Sequence, residues 1–262
     1  MASSSAPLLE RTASTADAVE QRARVRAKVG PKRGEHGLDI GCGPGLLACE
    51  LARDVGPHGK VVGIDASPDM VVMSADRARR SALAGRTEFA VGDPAELNFP
   101  AQNFDFATAV HVYEFVADLP RALDEAYRVL KPGGLLVLMA TDWDSCVWQV
   151  DDPGRHADVM RAWDAHFVHP HLPALLPRLL GHAGFGVRSL SVVPVVNLHA
   201  DDTTYSGSVI DVIAGFASRN AGIPDDVAQG WADDVRGQDL HGRYFFSLSG
   251  FLFLAERPVK GG

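Results

Sequence analysis

Short apolar runs alternate with helix-period segments across residues 37–140, and this rhythm constrains the fold more than any other feature. Residues 37–40, 60–65, 87–92, 104–111 and 135–140 read as strands. Residues 46–55, 68–83 and 119–130 read as the helices between them. A strand followed by a helix cannot close a hairpin. Each return to the sheet is a crossover, so the strands run parallel and the helices cover both faces. Residues 135–140 are almost wholly apolar, as a central strand buried on both faces must be. Local signals agree with this pattern. Ser67 and Pro68 open a helix, with proline where the first helical residue belongs, and Pro132-Gly133-Gly134 stops another.

The flanks are less regular. Residues 1–12 read as a loose tail, and residues 14–29 as a helix capped by Ser14 or Thr15 and broken by Gly30-Pro31. Beyond Asp142, two helical stretches at 153–167 and 172–182 precede a sixth strand at 187–196. A helical pair at 203–218 and 225–237 then interrupts the rhythm, before an alternating last strand at 243–256. The expected architecture is an α/β fold with a doubly wound, seven-stranded, mostly parallel sheet and helical insertions. Its organisation would be a leading tail and helix (1–30), an α/β core (31–142), and a C-terminal half of the sheet (143–262) carrying an insertion at about 197–240.

Charge removes some function classes. The net charge of −8 leaves no basic field for nucleic acid or an anionic membrane surface. Cys42, Cys49 and Cys146 form neither a disulfide framework nor a CxxC site, which suits reduced thiols in a cytoplasmic protein. No apolar run approaches the roughly 20 residues that span a bilayer. Residues 1–7 lack the basic and apolar regions of a secretory leader, so none is expected.

The chemistry centres on Asp39-Ile40-Gly41-Cys42-Gly43-Pro44-Gly45, which follows a strand and opens a helix. Glycines there let the chain turn sharply and let a ligand approach the main chain beside exposed helix N–H groups. A dinucleotide fingerprint places its third glycine three residues after the second. Here that position is Leu46, and an acid, Asp39, precedes the first glycine. Asp39 is a poor neighbour for a pyrophosphate and a good one for a cation. Asp65, at the end of the second strand, can accept both hydroxyls of a ribose or cap a helix. Asp93-Pro94, after the third strand, can meet the exocyclic amine of an adenine or form a turn.

Three segments together resemble a family. Leu38-Asp39-Ile40-Gly41-Cys42-Gly43-Pro44-Gly45, Val62-Gly63-Ile64-Asp65-Ala66-Ser67-Pro68-Asp69-Met70 and Arg128-Val129-Leu130-Lys131-Pro132-Gly133-Gly134 are similar to the ordered motifs of class I S-adenosylmethionine-dependent methyltransferases. The resemblance is to the branch of quinone-biosynthesis and small-molecule methyltransferases, and it covers about residues 35–142. It implies a Rossmann-like fold with an antiparallel last strand, S-adenosyl-L-methionine as cofactor, and a small-molecule methyl acceptor. By position, it implies that Asp39, Gly41 and Gly43 line the methionine moiety and that Asp65 holds the ribose. Ala66, Met70, Asp93 and Pro94 then surround the adenine, His111 lies near the transferring methyl, and Arg22 reaches the cofactor carboxylate from the N-terminal helix, which would cover the site. Many relatives carry a histidine pair after the fourth strand, where this chain has Glu114-Phe115.

Methyl transfer from a sulfonium is an in-line displacement with a neutral leaving group, so positioning does most of the work. A base matters only for a weakly acidic nucleophile, where it contributes roughly 10²–10⁴-fold. The candidates are His111, Glu114 and Asp142. Trp143, Trp148, Trp163 and Phe167, with His166 and Tyr205, are candidate walls and handles of an acceptor pocket or ordinary core residues. His166, His169 and His171 have no carboxylate or thiol at a matching interval, so no metal site is expected. The competing readings are an NAD-dependent oxidoreductase and a cofactor-binding protein without catalysis.

Overall fold

A computed structural model describes residues 6–259 of the chain. Strands β1 (His36–Ile40), β2 (Lys60–Asp65), β3 (Thr87–Val91), β4 (Phe104–Val110) and β5 (Leu130–Trp148) pair in parallel. Strands β6 (Gly186–Asn197) and β7 (Phe246–Glu256) complete the sheet in antiparallel fashion. The order is β3-β2-β1-β4-β5-β7-β6, so the winding reverses between β1 and β4. In an open α/β sheet the crevice for ligands forms at that reversal, beyond the carboxyl ends of the strands.

Two apolar layers flank the sheet. On one face α5 (Leu119–Val129) and α7 (Leu172–His182) bury Leu119, Leu123, Leu172, Leu176 and Leu180 against Leu38, Ile40 and Leu136. On the other, α2 (Ala16–Val29), α3 (Leu46–Asp54) and α4 (Pro68–Arg80) bury Val25, Leu51, Ala52 and Ala78 against Val61, Phe106 and Val137. A third core lies under α6 (Pro153–Asp164), α8 (Tyr205–Asn220) and α9 (Asp225–Leu240), around the fully buried Trp231. Truncating a tryptophan so placed costs about 3–5 kcal/mol.

The structure corrects several boundaries. Residues 1–12 do not all form a loose tail: α1 (Ala6–Ala13) is helical, while residues 1–5, with most of the stretch examined for a leader, lie outside the described residues. Eight residues are too few to hold a helix in water, so tertiary contacts must hold α1. Arg11 pairs with Asp202 at 3.3 Å and Glu10 with Arg77 of α4. Strand β5 is also far longer than residues 135–140. It pairs with β7 from Leu135–Glu256 to Trp148–Phe246, with a break between Asp142 and Val147, so its polar second half gains ladder bonds that no local signal announces. Pro132-Gly133-Gly134 therefore sits within an irregular strand start, with Gly133 donating to the Arg257 carbonyl at 2.7 Å. Arg257 in turn donates to the carbonyls of Tyr127, Arg128 and Leu130 at 2.8, 3.1 and 2.7 Å, satisfying the C-terminus of α5. The last strand starts at Phe246 rather than at residue 243, and α6 ends at Asp164 rather than at residue 167.

Candidate active site

The glycine loop is folded by its own backbone. Cys42 N–H donates to Ile64 O at 2.8 Å and Gly45 N–H to Cys42 O at 3.0 Å, which turns the chain from β1 into α3. Gly41 and Gly43 have φ of 66° and 51°, a region that penalises any residue with a Cβ. Their surroundings differ. A Cβ on Gly41 would lie 2.3 Å from Val112 Cγ2, so this glycine lets the loop abut the segment after β4. A Cβ on Gly43 would meet nothing within 4 Å, so this glycine faces open space at the crevice.

Asp65 ties the crevice together. One carboxylate oxygen accepts Gly43 N–H and the other accepts Ser67 N–H, both at 2.9 Å. Each oxygen keeps a further lone pair, the capacity a vicinal diol requires. Helix capping falls to Ser67, whose hydroxyl accepts Met70 N–H at 3.4 Å. Ala66 is exposed beside Asp65, and Met70 is buried behind it. Asp93 is exposed and accepts Ala95 N–H at 2.8 Å, shaping a turn with the half-buried Pro94 at the mouth of β3.

Asp39 is placed differently from its neighbours. It is only 2% exposed; one oxygen accepts the Thr108 hydroxyl at 2.7 Å, and Oδ2 has no partner. Burial pushes its pKa up to about 7, and the negative charge of Asp65 adds to the effect. The carboxylate thus lies under the loop against β4 instead of lining its open side. Asp65 and Glu50 both act on Asp39, while Glu50 is itself paired with Arg22 at 3.1 Å. A ligand bearing an ammonium, a sulfonium and a ribose fits this donor set: open room over Gly43, a carboxylate for the diol, and a buried carboxylate oxygen without a partner.

Arg22 does not point freely into the crevice. It donates to Glu50 at 3.1 Å and to the Ala13 carbonyl at 2.5 Å, joining α2 to α3 and to the end of α1. Arg77 went unnoticed in the sequence. Its Nε donates to Pro44 O at 2.8 Å while its other arm pairs with Glu10, so α1 is strapped across the glycine loop.

The second half of the site lies beyond β4 and β5. His111 has φ of 55°, uncommon for a residue with a side chain, and its N–H donates to Met139 O at 2.9 Å. Its Nδ1 lies 3.2 Å from Thr141 Oγ1 and 3.7 Å from Glu114 Oε1. Glu114 is 3% exposed; Oε1 accepts Thr141 N–H at 3.1 Å, and Oε2 has no partner. Its carbonyl accepts Val168 N–H and His169 N–H, both at 2.9 Å, which sews the α6–α7 connection onto this segment. Thr108 and Thr141 were not foreseen, because only strand register sets Thr108 opposite Asp39 and Thr141 beside His111. Asp142 does not end a strand. It sits at the β5 break, accepts Asp144 N–H at 3.2 Å, and lies 3.5 Å from His171 Nδ1.

The aromatic residues share the core under α6, α8 and α9. Trp143, Trp163, Phe167 and His166 pack with Phe115 beside the Glu114 segment, with His166 stacked on Trp163 at 4.4 Å. Burial holds the His166 pKa below its ordinary value. Trp148 and Tyr205 lie elsewhere in the same core, where Trp148 donates to the Tyr244 hydroxyl at 3.0 Å. The three histidines diverge: His166 stacks, His169 Nε2 lies 3.0 Å from Val116 O, and His171 faces Asp142 and Asp144. The ligand atoms of Asp142, Asp144 and His171 lie within 4.8 Å of one another, on side chains already engaged with each other.

Comparison with known proteins places this geometry in context. A family profile described as "Methyltransferase domain" matches residues 38–138. A protein of Streptomyces fradiae, described as an uncharacterized 37.1 kDa protein in transposon TN4556, is 31% identical over 95% of this chain and 70% of its own length. The demethylmenaquinone methyltransferase of Symbiobacterium thermophilum is 39% identical over 40% of this chain, which spans 42% of that enzyme's length. Among solved structures, the [4+2]-cyclase SpnF superposes with a TM-score of 0.61 at 26% identity, over 92% of this chain and 82% of its own.

Proposed function

Since the chain belongs to the class I S-adenosylmethionine-dependent methyltransferases, in the branch that includes the quinone-biosynthesis enzymes, we propose that it binds S-adenosyl-L-methionine over Gly43 and transfers the methyl group to a small-molecule acceptor. The observation that carries this reading is the loop itself. Gly43 opens onto free space, Asp65 holds both its N–H and the turn after β2, and the buried Asp39 keeps one oxygen without a partner. NAD does not find its third glycine here, since Leu46 stands at that position.

The cofactor, when bound, supplies an activated methyl group on a cationic sulfur. The residues of this chain supply placement. Asp65 accepts the ribose hydroxyls, Ala66, Met70, Asp93 and Pro94 frame the adenine, and Gly41 and Gly43 let the methionine portion lie against the main chain. Asp39 acts from below the loop through its field. His111 and Glu114 stand where β4 ends, on the acceptor side, and Asp142 stands across from them on β5. The aromatic group of Trp143, Trp163 and Phe167 supports an apolar acceptor. Among the described residues no helix is long and apolar enough to cross a membrane, and the three cysteines are free, which supports a cytoplasmic setting.

The test compares thermal stabilisation by S-adenosylmethionine, S-adenosylhomocysteine and NAD. A ligand at 100 times its Kd adds about 2.7 kcal/mol. Stabilisation by the two sulfur ligands is expected, and stabilisation by NAD alone would overturn the reading. S-adenosylhomocysteine production is then followed with reduced 1,4-naphthoquinone and other small acceptors. Binding without turnover on any acceptor would favour a cofactor-binding protein without methyl transfer.

A further inference from the structure

Resting on the methyltransferase reading, the geometry points to Glu114 as a positioning residue that fixes His111 as the Nδ1–H tautomer, leaving His111 Nε2 as the atom that takes the acceptor's proton. The argument starts from the backbone. His111 occupies a left-handed conformation at the end of β4, pinned by its N–H bond to Met139 O. Backbone strain in a residue with a side chain persists only where the surroundings over-determine it, and such residues cluster at functional sites. Here the conformation brings the imidazole back over Thr141 and Glu114.

Glu114 is an unusual neighbour. It is 3% exposed, and one of its oxygens has no partner among the described residues. Among the described residues no lysine or arginine pairs with it, and the His111 ring lies within salt-bridge reach at 3.7 Å. A carboxylate in that place favours a proton on the ring nitrogen that faces it. Nδ1–H then donates to Thr141 Oγ1 at 3.2 Å, with the Glu114 carboxylate 3.7 Å from the same nitrogen. The opposite nitrogen must carry a lone pair, since a neutral imidazole has one donor and one acceptor. That nitrogen, Nε2, has no partner within the described residues, and the side chain is 34% exposed. The bond from Glu114 Oε1 to Thr141 N–H and the two bonds to the Glu114 carbonyl keep the carboxylate from turning away.

The step balances without another reactant. The acceptor's X–H electron pair forms the bond to methyl, the methyl–sulfur pair leaves with sulfur, and the proton passes to Nε2. The resulting imidazolium lies beside the Glu114 carboxylate and later loses its proton to water.

Long-range nitrogen–proton NMR of histidine-labelled protein tests this without any acceptor. The chain has ten histidines, and His111→Gln identifies the relevant signals. The wild type is expected to show a protonated Nδ1 and an unprotonated Nε2. Glu114→Gln keeps an acceptor for Thr141 N–H and removes the charge, and it is expected to shift His111 toward the Nε2–H form that free imidazole side chains prefer. An Nε2–H tautomer in the wild type overturns the proposal, and that measurement stands even if Glu114→Gln fails to fold. An unchanged tautomer in a folded Glu114→Gln also overturns it. Thermal stabilisation by S-adenosylmethionine, measured on the same samples, reports separately on the cofactor reading and is expected to survive in Glu114→Gln.

Discussion

Replacing Asp39 with asparagine should make the ligand-free protein more stable at alkaline pH and less able to hold its cofactor. Asp39 is nearly inaccessible, with one hydrogen bond from Thr108 and one unpartnered oxygen, and burial raises its pKa from 3.8 to about 7. The folded pKa lies above the unfolded one, so the native state binds the extra proton between them. The stability contributed by this group is complete below the unfolded pKa and is lost as pH rises through about 7. A shift of that size at roughly 1.4 kcal/mol per unit sets a ceiling of about 4 kcal/mol on the loss by pH 8. Asparagine avoids that loss but leaves an amide donor where Oδ2 now lies, which costs about 1–3 kcal/mol. The net gain for Asp39→Asn at pH 8 is therefore about 1–3 kcal/mol, or roughly 2–4 °C in Tm per kcal/mol for a chain of this size. Thermal unfolding of both proteins from pH 5 to pH 8 checks this, because the difference between them isolates Asp39 from other titrating groups. A difference that stays flat with pH would refute the assignment of a proton to buried Asp39. Calorimetric titration with S-adenosylmethionine should show weaker binding by Asp39→Asn at pH 8, and equal affinity would remove Asp39 from the site.

Three further outcomes follow from the structure. Gly43→Ala meets no neighbour and should cost only the roughly 1–2 kcal/mol of a left-handed conformation; it should nevertheless abolish stabilisation by S-adenosylmethionine in a thermal-shift assay. Arg257→Ala takes a donor from the Tyr127 and Leu130 carbonyls, while the Arg128 carbonyl keeps Gln102 N–H at 2.9 Å, and should lower stability by about 2–4 kcal/mol in urea titrations, with cofactor affinity per folded molecule unchanged. His156 accepts Trp231 Nε1–H at 3.0 Å and is held below its ordinary pKa by burial. The unfolded chain therefore binds its proton first, stability should fall as pH drops below about 6.5, and His156→Asn should flatten that acid slope in urea midpoints taken between pH 7.5 and 5.

The sequence by itself determined the parts of this protein whose physics is local. Turn chemistry at Gly41–Gly45, the cap at Ser67-Pro68 and the strand–helix alternation specified a doubly wound sheet, and the motif order within it specified the family. Only the tertiary structure decided matters that depend on partners distant in the chain. Strand β5 reaches Trp148 because β7, about a hundred residues later, supplies its ladder. The helix α1 exists because Arg77 and Asp202 hold it, and Arg22 is drawn to Glu50 rather than to the crevice. Trp148 and Trp163 share one core, yet Trp148 packs on Trp231 and Trp163 stacks on His166. Strand register sets Thr108 against Asp39 and Thr141 against His111, and burial then makes those contacts count. Composition and spacing carry neither register nor burial, and so the glycine loop was legible while the residues packed around it were not.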